Sequence, residues 1–380
     1  VKITAIELIR YHRGIRVHAG AIDWLWVRLH TDAGITGLGE TYPCSAAEAG
    51  VIERSLAGQL LGANPLALDK LWSDLFLSVS YHGWAGAEMR ALSAIDMALW
   101  DLAGKHANLP VYQLLGGASR TSIPIYNTCY DHLDFHKEPV RLARELLESG
   151  IRAMKIWPFD PVALRLRGEM LGAADLRAGL EPLRQIRAEF GESMDVAMEF
   201  HGYWNLPNAI RIARALEPLE PMWLEEMLPQ DNLAAYRELA SATSLPLTLS
   251  ERLMTRWGFR ELLENRAARV VMPDIAWCGG ISEAKRIAAM AETYYLPVAP
   301  HNCGGPVLHF ASAHLAANIP NLYILETVRR HYLDEYRGLL TADLLPVNGS
   351  LPLPPGPGLG VELAAAVEEL PNVAVTLLRA

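Results

Sequence analysis

The sequence predicts an α/β protein: a (β/α)7–8 TIM-type barrel carrying an α+β capping domain at its N-terminal end. Two observations predict the barrel. Six short apolar runs each end in a charged or titratable residue, namely Glu199, Glu225, Glu251, Asp274, His301 and Glu326. Successive ends lie 26, 26, 23, 27 and 25 positions apart. That interval holds one strand, one crossover helix and two short loops, the repeat of a βα unit. In a barrel all such ends open onto one face, where the βα loops build a site. The third observation concerns the rest. At 380 residues the chain exceeds a barrel, which takes about 250, and its first forty residues alternate like antiparallel strands.

In order, Val1–Ile9 alternates as a strand, and no small-residue cleavage site of a signal peptide follows it. Trp24–His30 and Ile35–Glu40 form a hairpin around Thr31-Asp32-Ala33-Gly34, with Gly34 where a positive φ is expected. Tyr11–Ala21 and Thr41–Ser45 read as loops. Gly86–His106 is a helix with Leu92, Ile95, Leu99 and Leu102 on one stripe and Asp and Arg opposite. Leu109–Gly117 closes the domain with a short helix and a glycine stop. Capping domain, barrel and C-terminal segment are expected at 1–123, 124–335 and 336–380, the last returning to the capping domain.

Within the barrel, Ile151–Trp157 is a strand whose alternation places Ala153, Lys155 and Trp157 on one side. A lysine inside an apolar run either caps an edge or points into the barrel mouth. Pro158 to about Gly179 reads as a long connection. Pro352–Gly360, dense in Pro and Gly, cannot be helix.

Composition excludes several classes. Hydrophobic residues at 51% and charged residues at 20% are globular values without a disorder signature. A net charge of −9 without a Lys/Arg cluster excludes nucleic acid as partner. Nothing approaches the apolar span of about 20 residues that a transmembrane helix needs, so no membrane association is expected. Cys44, Cys129, Cys278 and Cys303 lie far apart with no C-x-x-C, which fits reduced thiols and the cytoplasm.

Glu199, Glu225 and Glu251 converge at the predicted mouth. Three buried carboxylates repel unless a cation compensates, and an all-oxygen set selects a hard ion, Mg²⁺ before Mn²⁺. Zinc is disfavoured by the lack of a Cys pair or His-x-His. Asp274 and His301 end adjacent strands, so the carboxylate can orient the imidazole as a base. His201 shares the inward parity of Glu199 and reads as an acid, a ligand or a packed residue, the acid being favoured.

These residues resemble the enolase superfamily, in its mandelate racemase-like group, over essentially the whole chain. Ala91-Leu92-Ser93-Ala94-Ile95-Asp96-Met97-Ala98-Leu99-Trp100-Asp101-Leu102-Ala103-Gly104-Lys105, with Pro110-Val111 and Leu114-Leu115-Gly116, is similar to the family's signature in its capping domain. The three acids, the Asp–His pair and Glu326 also fit, so the resemblance implies Mg²⁺-assisted removal of a proton α to a carboxylate. There are departures. Glu199 stands where Asp or Asn is common, Met227 where Pro is usual, and the Lys-x-Lys of many members reads Lys155-Ile156-Trp157. The second lysine is a base in members that work on both substrate faces, and Trp157 cannot replace it. Glu199-Phe200-His201 resembles the galactonate dehydratase branch, in which this histidine protonates the leaving 3-hydroxyl.

The expected function is that of an acid-sugar dehydratase, a hydro-lyase acting on an aldonate or aldarate, a small-molecule carboxylate. His301, oriented by Asp274, removes the C2 proton. Mg²⁺, Lys155 and a protonated Glu326 carry the enediolate charge, and His201 protonates the leaving hydroxyl. Substrate contacts are expected from Trp157, Tyr42 and His82, with Trp84 and the two loops nearby. The alternatives are a racemase, epimerase or lactone cycloisomerase on the same scaffold, or a non-catalytic sugar-acid-binding barrel. Assembly as a homo-oligomer, usual in the family, is also expected.

Overall fold

The computed structural model describes residues 1–14, 16–17 and 20–379. Residues 15, 18 and 19 of the Tyr11–Ala21 loop therefore lie outside the described residues.

Strands β1 (Ile3–Tyr11), β2 (Trp24–Thr31) and β3 (Thr36–Thr41) form an antiparallel sheet. The turn between β2 and β3 puts Gly34 at φ +73°. The C-terminal strand Val373–Arg379 pairs with the other edge of β1, so both chain ends share one sheet. Helices α1 (Ser45–Val51) and α3 (Ala87–Ala107) cover this sheet, and α2 (Leu68–Ser80) packs against α3. The approach of α3 to β3 is close. A Cβ on Gly39 would stand 1.9 Å from the Ala94 carbonyl oxygen, which only glycine avoids.

The expected polar face of α3 is a correction. Asp96 and Asp101 are buried with most of the helix, because each accepts backbone N–H groups from neighbouring elements. Asp96 takes the N–H of Ser282 at 2.9 Å and its hydroxyl at 2.6 Å. Asp101 takes the N–H groups of Leu38 at 2.8 Å and Leu359 at 2.7 Å and pairs with Lys105. Burial raises the carboxyl of Asp96 to about 7 and that of Asp101 to about 6 against these bonds. Glu40 on β3 does the same at another helix start, accepting the N–H groups of Gly305 at 2.7 Å and Val307 at 3.0 Å. Asp96 and Glu40 thus key the two domains together at the starts of barrel helices, where exposed N–H groups and the helix dipole favour negative charge.

The barrel strands are β4 (Ser122–Thr128), β5 (Ala153–Ile156), β6 (Asp195–Glu199), β7 (Leu224–Glu225), β8 (Leu247–Leu249), β9 (Val270–Val271) and β10 (Leu325–Thr327). Neighbours pair in parallel from β4 to β9, and β10 returns to β4. The remaining position is filled by Val298, which bridges Val271 on one side and Leu322 on the other. Helices run between the strands, from α4 (Pro139–Glu148) through α5 (Asp160–Leu166), α6 (Ala173–Phe190), α7 (Leu206–Leu216), α8 (Leu233–Ala242), α9 (Thr255–Glu264) and α10 (Gly280–Thr293) to α11 (Pro306–Asn318).

Two boundaries differ from expectation. The division at 123/124 falls inside β4. The supposed connection from Pro158 to Gly179 holds α5 and the first turns of α6. Gly179 lies within α6: a Cβ on it would come within 2.3 Å of the Phe159 ring, so glycine lets α6 lie against that ring.

The barrel interior is packed, with Tyr126 and Trp223 meeting edge to face at 5.3 Å among Ala153, Ala197, Met272 and Ala299. Alanines make room for the two large rings, as a filled barrel requires. No helix among the described residues is long and apolar enough to cross a membrane.

Candidate active site

Parallel register assembles the acids. Glu199 and Glu225 are direct partners on β6 and β7, and Glu251 follows β8. One carboxylate oxygen from each lies within 4.8 Å of the others. At that separation each charged pair repels by about 3 kcal/mol at an effective dielectric near 20. Trp223 from the interior layer donates its indole N–H to Glu225 at 2.8 Å, and the N–H groups of Phe200 and His201 hold Glu199 at 3.0 and 2.7 Å.

Lys155 settles its alternative by pointing inward. It is 3% exposed and makes ion pairs with Glu225, with Glu326 at 2.8 Å and with Glu199 at 3.4 Å. Burial alone would lower its pKa, but Glu225 and Glu326 raise it well above the ordinary value. These ion pairs favour its charged form. Burial and the neighbouring Glu199 push Glu225 well up. Burial opposes ionisation of Glu199 too, yet His201, Glu225 and Lys155 hold it below the carboxylate range. Three carboxylates this close repel unless a cation lies among them, and oxygen donors alone suit a hard one. The residues present fit such an ion.

Asp274 and His301 bridge as partners on neighbouring strand positions, with Oδ2 and Nδ1 2.7 Å apart. Nε2 of His301 faces Glu251 at 3.0 Å. Burial lowers the imidazole pKa, but Glu251 and Glu326 outweigh it and raise the value well above the ordinary one.

Glu326 differs from expectation. It accepts hydrogen bonds from the Thr128 hydroxyl and, at 2.9 Å, from the Asn302 N–H, besides its pair with Lys155. Burial would raise its pKa, yet Lys155 and His301 bring it down to about 2. Both its oxygens are held by donors, and the charged neighbours favour its ionised form.

His201 reaches the mouth by a route other than strand parity. Strand β6 ends at Glu199, and His201 sits in the following turn at φ +50°. Its Nδ1 lies 2.7 Å from Asp160 Oδ2, and Trp157 meets its ring edge-on at 5.9 Å. Burial lowers the imidazole pKa, but Glu199 and Asp160 carry it to about 9.

A cavity of 360 Å³ opens over these groups, and Lys155, Trp157, Glu199, His201, Glu251 and His301 all line it. Tyr42 also borders it, but its hydroxyl donates to Asp274 at 2.6 Å. Tyr42 thus lines the cavity, where a substrate contact was expected, and also supports Asp274. His82 is exposed on the turn after α2 and outside the lining.

Sequence reasoning missed Asp160, Arg252 and Arg13. Asp160 follows Trp157 closely at the end of a barrel strand, which was a usable signal. Arg252 adjoins Glu251; its Nη1 holds the His201 carbonyl at 2.9 Å. Arg13 arrives from the capping domain, stacks over Trp24 at 4.1 Å and pairs with Glu335; only the fold brings it to the cavity.

Residues 17–116 match the family model described as mandelate racemase / muconate lactonizing enzyme, N-terminal domain, and residues 138–367 match that described as enolase C-terminal domain-like. A D-galactonate dehydratase of Xanthomonas euvesicatoria is 34% identical over 372 residues, 96% of this chain and 92% of that one. A D-xylonate dehydratase of Haloferax volcanii is 32% identical over 355 residues, 90% and 84% of the two chains. The crystal structure of an enolase of the mandelate racemase subgroup from Agrobacterium tumefaciens superposes with a TM-score of 0.91 at 44% identity, covering 100% of this chain and 99% of the other.

Proposed function

Because the chain belongs to the enolase superfamily, in its mandelate racemase group, we propose that the barrel mouth dehydrates a sugar acid, an aldonate or aldarate, to a 2-keto-3-deoxy acid. The enzyme is a hydro-lyase, in line with its relatives named for D-galactonate and D-xylonate. One observation carries the reading. Two imidazoles, each held by its own carboxylate at 2.7 Å, open into one cavity beside the acid triad, while Lys155 is committed to carboxylates. One imidazole is available as base and the other as acid, and no lysine base serves a second substrate face.

Glu199, Glu225 and Glu251 would hold the cation, which we assign as Mg²⁺ on the hardness of the donors. When bound, Mg²⁺ supplies positive charge to the substrate carboxylate and to the enediolate formed from it. His301 Nε2 removes the C2 proton, with Nδ1–H held by Asp274 so that the base nitrogen faces the substrate. Glu251 serves either His301 or the cation, so a loaded triad leaves His301 free to accept a proton. Lys155, held charged by Glu326, faces the developing negative charge without reorganising. His201 then delivers a proton to the 3-hydroxyl, which leaves as water. Four cysteines, all unpaired, support the cytoplasm as the compartment.

A panel of aldonic and aldaric acids, assayed for 2-keto products with semicarbazide, tests this reading. At least one member should give a 2-keto-3-deoxy acid. Epimerised or lactonised products from the panel, with no keto acid from any member, would replace the dehydratase by a racemase or cycloisomerase.

A further inference from the structure

Asp160 lies 41 positions before His201 and comes from a different βα loop. It opens helix α5 directly after the strand that carries Lys155, and it is 5% exposed. Its Oδ2 stands 2.7 Å from His201 Nδ1. The same histidine is fixed through its backbone as well. Its N–H donates to Glu199 at 2.7 Å and its carbonyl accepts from Arg252 at 2.9 Å. A non-glycine residue at φ +50° is costly and persists where its surroundings over-determine it. The pairing repeats the Asp274–His301 geometry, with oxygen and Nδ1 again 2.7 Å apart.

We propose that Asp160 is a positioning residue for the elimination step: it accepts the Nδ1–H of His201 and so presents Nε2–H to the cavity, toward the leaving hydroxyl. The proposal rests on the reading of His201 as the acid. The bond changes balance without a further reactant. Once C2 has lost its proton, the electron pair of the enediolate forms the C2–C3 double bond. The C3–O bond breaks, and its oxygen leaves as water with the proton from Nε2. His201 is then neutral, with Nδ1–H still on Asp160 and a lone pair on Nε2. Without Asp160, the ring can turn or change tautomer, and no proton need face the cavity.

The experiment compares Asp160→Ala, Asp160→Asn and His201→Asn in the metal-loaded enzyme, using the aldonic acid of the panel that is turned over fastest. In deuterated water, 2-keto product and exchange of the C2 hydrogen are followed together. Asp160→Ala should lower kcat for product by about a hundredfold, with KM little changed and C2 exchange retained. Asp160→Asn, whose Oδ1 still accepts from Nδ1–H, should recover most of that loss. Imidazole ¹⁵N spectra of the resting wild-type protein should show His201 Nδ1 protonated. Equal loss of product and exchange in folded Asp160→Ala, no loss at all, or an unprotonated Nδ1 in the wild type would overturn the proposal. If the alanine variant does not fold, Asp160→Ser is read by the same criteria. Normal product from His201→Asn would instead remove the acid assignment itself, whereas an inactive His201→Asn beside an unaffected Asp160→Ala defeats only the role of Asp160.

Discussion

The Tyr42 hydroxyl donates to Asp274 at 2.6 Å, on the same oxygen that lies 2.7 Å from His301 Nδ1. A capping-domain residue thereby supports the carboxylate that orients the base. Tyr42→Phe removes one donor from this buried carboxylate and should lower kcat by about tenfold, with KM little changed. Steady-state kinetics check it. A rise in KM alone would return Tyr42 to the role of a direct substrate contact.

His301→Asn keeps a polar side chain of similar reach but cannot accept the C2 proton. Turnover and C2 exchange should both vanish. Asp274→Asn should be less damaging, since it disturbs only the orientation and basicity of the imidazole. Substantial turnover by His301→Asn would require another base, and Lys155 would have to be reconsidered despite its ion pairs.

The acid triad should bind one Mg²⁺ per chain in titration calorimetry. Chelation should abolish activity and Mg²⁺ should restore it. Glu225→Gln should weaken binding by about tenfold or more without unfolding the barrel. Full activity in excess chelator, with no metal detected in the protein, would exclude the assignment.

His201→Asn separates the two halves of the reaction. With His301 intact, the variant should exchange the C2 hydrogen in deuterated water while forming little 2-keto product. Normal product formation would show that the leaving hydroxyl takes its proton elsewhere, from His301 on the same face or from another group.

Acid should weaken the fold through two buried histidines of α11. His314 accepts the Tyr112 N–H at 3.2 Å and reaches the Leu359 carbonyl at 3.1 Å. His309 meets Asn302 at 3.1 Å and the Leu344 carbonyl at 3.0 Å. Both nitrogens of each ring are used in the neutral form, and burial lowers both pKa values to about 4. The folded state then binds fewer protons than the unfolded state between about 6.5 and 4, so stability falls as pH falls through that window. Each ring should contribute a loss of about 2 kcal/mol by pH near 5. Urea unfolding at stepped pH measures this, and His314→Gln should flatten the slope. An unchanged slope would show that the ring does not stay neutral.

The sequence by itself determined the architecture and the chemical inventory. A period near 25 residues, with an acid or histidine closing each apolar run, is a consequence of the βα repeat, in which strand ends share one face. That periodicity was sufficient to place Glu199, Glu225, Glu251, Asp274 and His301 together, because neighbouring parallel strands stand in a narrow range of register. The helix Gly86–His106 was legible by its stripe, but the fate of Asp96 and Asp101 was not, since their partners lie nearly 190 and nearly 260 positions away.

Tertiary structure alone decided the charged neighbours and the partners. Whether Glu326 donates or accepts depends on Lys155, Thr128 and Asn302 arriving from other strands and loops. Whether His201 faces the mouth depends on a left-handed turn beyond the strand, where alternation no longer applies, and on Asp160 from another loop. Tyr42 reaches Asp274 because the two domains dock there. A sequence pattern carries residue types at intervals along one chain. Charge, burial and hydrogen bonding are properties of groups brought together from distant parts of it, and they are set only when the barrel closes and the capping domain is in place.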